Sequence, residues 1–325
     1  MGKFLFLVTF FLSSLYGEGS FGQARIPSIR VFPCVENIGL DFLCKADRLD
    51  INKWELLERY ARTITVRVWV DGDWGSGVII QKKDNLYTVL TNNHVVSFGR
   101  KYRIETFDRL VYDGVIYRSI AFTGKNKLAG TDLALIQFRS PKVIYPVAAL
   151  GKALTLKTGE NVFAAGFPFS EDQSNDLFRF RAGIVGLNLD RPLWDGYQFG
   201  YTSEVEGGMS GGPVLNSLGQ VVAVNGLRSH PFLDDAYIFQ NGVKPCAPMV
   251  NLMRNFAFGI PMETFMALAA KPLKLNYSLP QQRFESSLIA STTLPNVMGF
   301  SLDSPITMWQ TLLMQEKITK AKRCQ

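Results

Sequence analysis

The sequence predicts an all-β fold, and three observations carry that expectation. Short apolar runs recur through the middle of the chain, several of them alternating with polar residues at period two. Gly, Asp and Asn punctuate these runs at turn-like spacing. Little amphipathic helix lies between them, so the pattern fits a barrel or sandwich rather than alternating βα units.

Taken in order, the first element is a short helix in RLDINKWELLERYAR, where Asp50 precedes alternating apolar and charged residues as a cap would. In TITVRVWV, residues 63–70, the side chains Ile64, Val66, Val68 and Val70 share one face, which is a strand. DGDWGSG makes a turn and GVII opens the next strand. YTVLTNN, RIETF, GVIYRSIAF, DLALIQF, NVFAAGF, RFRAGIVGL, YQFGYTS, PVLN and QVVAVNG continue in the same manner. FGIPMETFMALAA reads as a last strand running into a helix. Residues 62–272 are expected to form one structural unit, preceded by an extension over 23–61. The tail, 273–325, is polar and turn-rich at first. It ends in a candidate helix with Ile306, Trp309, Leu312 and Leu313 on one side.

The N-terminus has a different character. Lys3, the apolar run FLFLVTFFL and the small-x-small site Ser20-Phe21-Gly22 describe a secretory signal peptide over residues 1–22. The run is short for a bilayer span, which needs about 20 apolar residues. No later segment is long and apolar enough to span, so an exported protein is expected, periplasmic or extracellular and without stable membrane insertion. Cleavage removes one basic residue, Lys3, and one acidic residue, Glu18, which leaves the formal net charge of +7 unchanged. Apart from KITKAKR near the C-terminus the basic residues are scattered, the pattern of a solvated surface, and nucleic acid is not an expected partner. The balance of 47% hydrophobic and 19% charged residues is that of a packed globular protein.

All four cysteines lie beyond the signal, and an even number in an exported chain permits disulfides. Cys34 and Cys44 are the nearer pair in sequence, which leaves Cys246 with Cys324. No CxxC is present, and two histidines cannot assemble a zinc pattern, so neither metal nor cofactor is expected.

Chemistry concentrates in EVEGGMSGGPVLN, residues 204–216, where Ser210 stands between two glycine pairs. A serine hydroxyl needs a base to become a nucleophile, and histidine is the usual one near neutral pH. His94, in LTNNHVV, sits at a strand end beside two valines; taken alone it could be a satisfied core histidine. His230, in GLRSHPF, reads as a loop histidine or a substrate contact. A catalytic imidazole also needs a carboxylate to fix its tautomer. Asp132, in AGTDLALIQF, opens an apolar strand and is the candidate, although alone it could be a turn residue. Gly207 and Gly208 allow the N–H of Gly208 to face the same space as that of Ser210, as an oxyanion site requires. The pattern Gly208-x-Ser210-x-Gly212 also matches the nucleophile elbow of α/β hydrolases. There the histidine follows the serine, which would leave His94 idle, and the chain is α/β rather than all-β.

GSGVII, TNNHVV, TDLALI, GMSGGPVLN and QVVAVNG, with NVFAAGFP and RAGIVGL between, together resemble the successive motifs of trypsin-like serine proteases, in wording closest to the HtrA-like branch. The resemblance implies two six-stranded antiparallel β-barrels with the active site in the cleft between; the helix patterns read above add short helical extensions at both ends. It implies His94 as general base, Asp132 as orienting acid, Ser210 as nucleophile, and the amides of Gly208 and Ser210 as the oxyanion hole of an endopeptidase acting on polypeptides. Glu204 takes the place of the pocket base, where a carboxylate favours Lys or Arg before the scissile bond. Arg228 and His230 could offset it or select acidic side chains. Two departures stand out. Met209 replaces the aspartate that pairs with a newly cut N-terminus in digestive enzymes, and the tail lacks the look of a PDZ domain. The contrasting expectation is a catalytically silent protease fold kept for binding.

Overall fold

Helix α1, Asp41–Ile64, runs into the first strand without a loop, and the junction is set by two threonines. The Thr63 hydroxyl donates to the Tyr60 carbonyl at 2.8 Å and the Thr65 hydroxyl to that of Ala61 at 2.6 Å. These bonds satisfy carbonyls that a helix end leaves unpaired. The helix therefore extends to Ile64, and the strand expected from Thr63 begins at Thr65. Leu57, Tyr60, Ala61 and Ile64, spaced i, i+3, i+4 and i+7, are all buried. Full burial of one Leu or Ile contributes about 1.5–3 kcal/mol, so this face alone seats the helix.

This computed structural model describes residues 41–119, 130–169, 177–231, 237–269 and 308–322. The signal segment, Cys34 and Cys324 lie outside the described residues, as does the side chain of Cys44. The chain divides into residues 1–48 and residues 49–325, and everything that follows belongs to the second unit.

The first barrel consists of β1 (Thr65–Val70), β2 (Asp73–Lys83), β3 (Leu86–Thr91), β4 (Tyr102–Glu105), β5 (Val111–Ser119) and β6 (Ala134–Arg139). It closes in the order β1-β2-β3-β6-β5-β4. The second consists of β7 (Asn161–Gly166), β8 (Arg179–Asn188), β9 (Phe199–Tyr201), β10 (Pro213–Asn216), β11 (Val221–Leu227) and β12 (Ala257–Pro261), closed as β10-β11-β12-β9-β8-β7. All neighbouring strands pair antiparallel. The expected two six-stranded barrels are thus the observed architecture. Bulges at Ile79/Gln81, Ile116/Arg118, Val185/Leu187 and Asn225/Leu227 bend the strands enough to close.

Burial explains why several strands read as continuous rather than alternating apolar runs. β3 and β7 are buried on nearly every residue, because one face fills a barrel and the other meets neighbouring elements. Val66, Val68, Ile79, Val89 and Ile136 pack together in the first barrel; Val162, Val185, Phe199, Val214 and Val222 do so in the second. A third cluster joins α1 to strands of both, through Val78, Leu90, Leu135, Phe163 and Leu215.

Three further helices are α2 (Asn93–Val96), α3 (Ala247–Met253) and α4 (Met262–Ala269). A last one, α5, spans Met308–Lys322. Of its expected apolar side, Leu313 is corrected: it is exposed, whereas Met314, Ile318 and Ala321 reach the core. These three, spaced i, i+4 and i+7, form the buried stripe of the described part of the helix, which packs on α3. Ile306 and the side chains of Trp309 and Leu312 lie outside the described residues.

Candidate active site

His94 lies in α2, a single helical turn that follows β3 directly. The turn lifts its side chain out of the barrel wall, leaving it half exposed. Asp132 stands just before β6, beside β3, with only 7% of its side chain exposed. The β3–β6 pairing brings the two strand ends together across 38 residues of chain. One carboxylate oxygen of Asp132 accepts the His94 backbone N–H at 2.7 Å, and the other lies 2.5 Å from His94 Nδ1. The Asn92 side chain donates to the Asp132 carbonyl at 2.8 Å, locking the two segments in register. With the proton on Nδ1 held by the carboxylate, Nε2 is the nitrogen free to accept one.

The second barrel adds two groups that sequence reasoning missed. The Tyr197 hydroxyl donates at 2.5 Å to the same Asp132 oxygen that faces His94. Asp195, in the turn Trp194–Gly196, takes the Asp132 backbone N–H on its carbonyl at 2.8 Å and adopts a left-handed backbone, φ 61°. Burial pushes the His94 pKa down, but the hydrogen bond and charge of Asp132, with the charge of Asp195, outweigh it and raise the pKa above the usual histidine value. Burial and the neighbouring Asp132 likewise raise Asp195, against the pull of His94. In the sequence Tyr197 only opens the strand YQFGYTS, and nothing there marks a hydroxyl aimed at a carboxylate 65 residues away.

Ser210 is carried by a loop that enters β10. Gly208 has φ +91°, and a Cβ there would lie 2.5 Å from the Phe167 carbonyl oxygen, so both conformation and space require glycine. Phe169 N–H donates to the Gly207 carbonyl at 2.7 Å and Gly212 N–H to the Met209 carbonyl at 3.0 Å. In a trans peptide the N–H points opposite to the C=O. Both bonds therefore turn the N–H groups of Gly208 and Ser210 to the other side, where among the described residues neither has a protein acceptor. Ser210, Gly208 and His94 line one cavity of about 420 Å³, walled by Trp74, Phe98 and Phe169. No hydrogen bond between Ser210 Oγ and His94 is present among the described residues; such bonds often tighten only when substrate binds.

A family profile described as a trypsin-like peptidase domain matches residues 75–224. Those residues are a trypsin-like peptidase domain. The chain is 33% identical over 186 residues to "Serine protease Do-like HtrA" of Bacillus subtilis (strain 168), covering 53% of this chain and 38% of that protein. It is 33% identical over 164 residues to "Serine protease Do-like HtrB" of the same organism, covering 47% and 32%. With "Serine protease HTRA1" of Xenopus laevis it shares 34% over 157 residues, covering 47% and 31%. The chain thus spans about a third of the length of these relatives.

Within the peptidase domain, Met209 replaces a charged anchor with an apolar one. It is fully buried in the second barrel's cluster, and its Sδ accepts the Glu206 N–H at 3.5 Å. The loop is therefore seated by packing. The three expected specificity residues are not among those lining the cavity. Glu204 is exposed and Arg228 half-buried, while His230 is exposed with φ 48° and donates its N–H to the Arg254 carbonyl. Carboxylates that do line it are Asp73 and Asp71, the latter taking the N–H groups of Arg100 and Lys101.

Proposed function

We propose that the chain is an exported serine endopeptidase with His94, Asp132 and Ser210 as its triad. The observation that carries this reading is Asp132 binding both the backbone and Nδ1 of His94 while His94 and Ser210 share one cavity. His94 Nε2 takes the Ser210 proton as Oγ attacks the peptide carbonyl carbon. The oxyanion that forms is met by the N–H groups of Gly208 and Ser210. His94 then gives the proton to the leaving amine, and water repeats the sequence on the acyl-enzyme while Asp132 stays ionised.

Polypeptides are the substrates. Glu204 and Asp73 are exposed carboxylates and favour basic side chains near the scissile bond, by charge complementarity. Arg228 and His230 stand as the groups that would oppose that preference. We place the peptidase unit at 62–272, and export is supported by the N-terminal pattern over residues 1–22. A disulfide-bonded Cys246, whose Sγ lies 4.0 Å from the Ala321 carbonyl oxygen, suits an oxidising compartment and the expected pairing with Cys324. No described helix is long and apolar enough to cross a membrane.

A fluorophosphonate probe tests the reading. It should label the purified protein, and fail to label Ser210→Ala and His94→Ala while still labelling His230→Ala. Loss of labelling in His230→Ala but not in His94→Ala would overturn the triad. Absence of labelling and of peptide cleavage in the unaltered protein would favour a silent binding module.

A further inference from the structure

We infer that Ser76, on β2 of the first barrel, is a positioning residue that holds the oxyanion loop of the second barrel in its working conformation; its catalytic consequence rests on the hydrolytic reading above. Ser76 is fully buried, and it spends every polar group it has. Its backbone N–H donates to the Ser210 carbonyl at 2.8 Å. Its hydroxyl donates to the Gly208 carbonyl at 2.8 Å and accepts the Phe167 N–H at 2.8 Å. Its carbonyl accepts the Thr91 hydroxyl at 2.7 Å, which ties it to the strand that leads to His94.

The Ser76 bonds fall on the peptide groups immediately after each oxyanion amide, those of the Gly208 and Ser210 carbonyls. Gly207, Gly208 and Ser210 present carbonyls that are bound by Phe169 N–H, Ser76 Oγ and Ser76 N–H in turn. The Gly207 bond fixes the Gly208 N–H, and the Gly208 bond fixes the next peptide plane. Together they define the left-handed Gly208 from both sides. Phe167 is bound to the same hydroxyl, so the segment that supplies Phe169 N–H is held by Ser76 as well. A hydroxyl is the smallest side chain that donates and accepts at once, and space excludes much more. A Cβ on Gly166 would lie 2.9 Å from Ser76 Oγ. With its hydroxyl spent and buried, Ser76 is no second nucleophile. It links base and oxyanion site across the two barrels.

The test compares Ser76→Ala with Ser76→Cys, which keeps the size but donates weakly. Active sites are counted by fluorophosphonate titration, so that misfolded protein does not enter kcat. Loss of one oxyanion donor lowers kcat by about 10²–10³-fold. Misorientation in Ser76→Ala should lower it on the order of 10- to 100-fold with KM within about 2-fold, and affinity for a peptide boronate should fall in parallel. Ser76→Cys should lie between the alanine variant and the unaltered protein. A purely structural role would lower Tm and leave kcat per titrated site unchanged, which overturns the inference in either variant. Amide hydrogen exchange gives a readout that needs no activity. Exchange across residues 207–211 should rise about 10-fold or more in either variant that folds, while residues 86–91 stay protected. Unchanged exchange at 207–211 overturns the positioning role even if the protein cleaves nothing.

Discussion

The two barrels share strand number and pairing, yet they contribute different kinds of chemistry. The first supplies side chains: His94 and Asp132 leave adjacent strands, β3 and β6, and meet through hydrogen bonds between them. The second supplies backbone: Ser210 sits on a loop whose glycines turn amide groups toward the same cavity. Strand pairing alone can align two neighbouring side chains. Aiming amides needs residues that tolerate φ > 0 and close approach, and a framework that pins each carbonyl away from the site. Side-chain machinery should therefore fail by chemistry, and backbone machinery by geometry.

Asp132→Asn gives the sharpest break on the first barrel's side. It retains the shape of the side chain but inverts its hydrogen-bonding sense toward Nδ1, and kcat should fall by about 10⁴-fold with little change in KM. Steady-state kinetics with a peptide substrate checks it. On the second barrel's side, Gly208→Ala forces a Cβ against the Phe167 carbonyl oxygen in a left-handed conformation. It should cost about 10²–10³-fold in kcat, and unlike Asp132→Asn it should also lower Tm, because the damage is steric.

A smaller effect tests where the barrels meet at one carboxylate. His94 must be neutral to act as base, and its pKa is raised, so kcat/KM should rise with pH through a midpoint above the ordinary 6.5. Charged or titratable neighbours of His94 are Asp132, Asp195 and, through Asp132, Tyr197. Asp195→Asn removes a negative charge, which should move that midpoint to lower pH. Tyr197→Phe removes a hydrogen bond that stabilises the Asp132 charge, leaving more of it for His94, and should move the midpoint to higher pH. Opposite movements in a pH–rate profile distinguish an electrostatic role from a general loss of packing. Glu204→Gln should have the smallest effect, a loss of about 2- to 10-fold in preference for basic over neutral residues in a peptide library, with kcat on neutral peptides unchanged.

His94, Asp132 and Ser210 were legible as the proposed triad because each stands in a local pattern, a strand end or a glycine-flanked turn, whose order along the chain narrows the chemistry. Ser76 was in plain view inside GSGVII but read as one more turn residue. Its meaning depends on Gly208, 132 residues further on. Tyr197 was read only as part of a strand, since no periodicity reveals what a hydroxyl faces across a barrel interface. The terminal helix was placed by its pattern, but Leu313 was assigned to the buried side and is exposed, because the surface of α3, not the helix itself, selects which residues are covered.

By itself, then, the sequence determined the elements and singled out the side chains proposed as the triad. Apolar period, turn glycines and strand-end polar residues are local properties, and each is written within a few residues. Barrel closure, the shared cavity, the convergence of His94 and Tyr197 on one oxygen of Asp132 and the clasp from Ser76 to the nucleophile loop were decided only by tertiary structure. They depend on which distant backbone and side-chain groups pack within about 3 Å of each other, and hydrogen bonds at that range report contact in space rather than order along the chain.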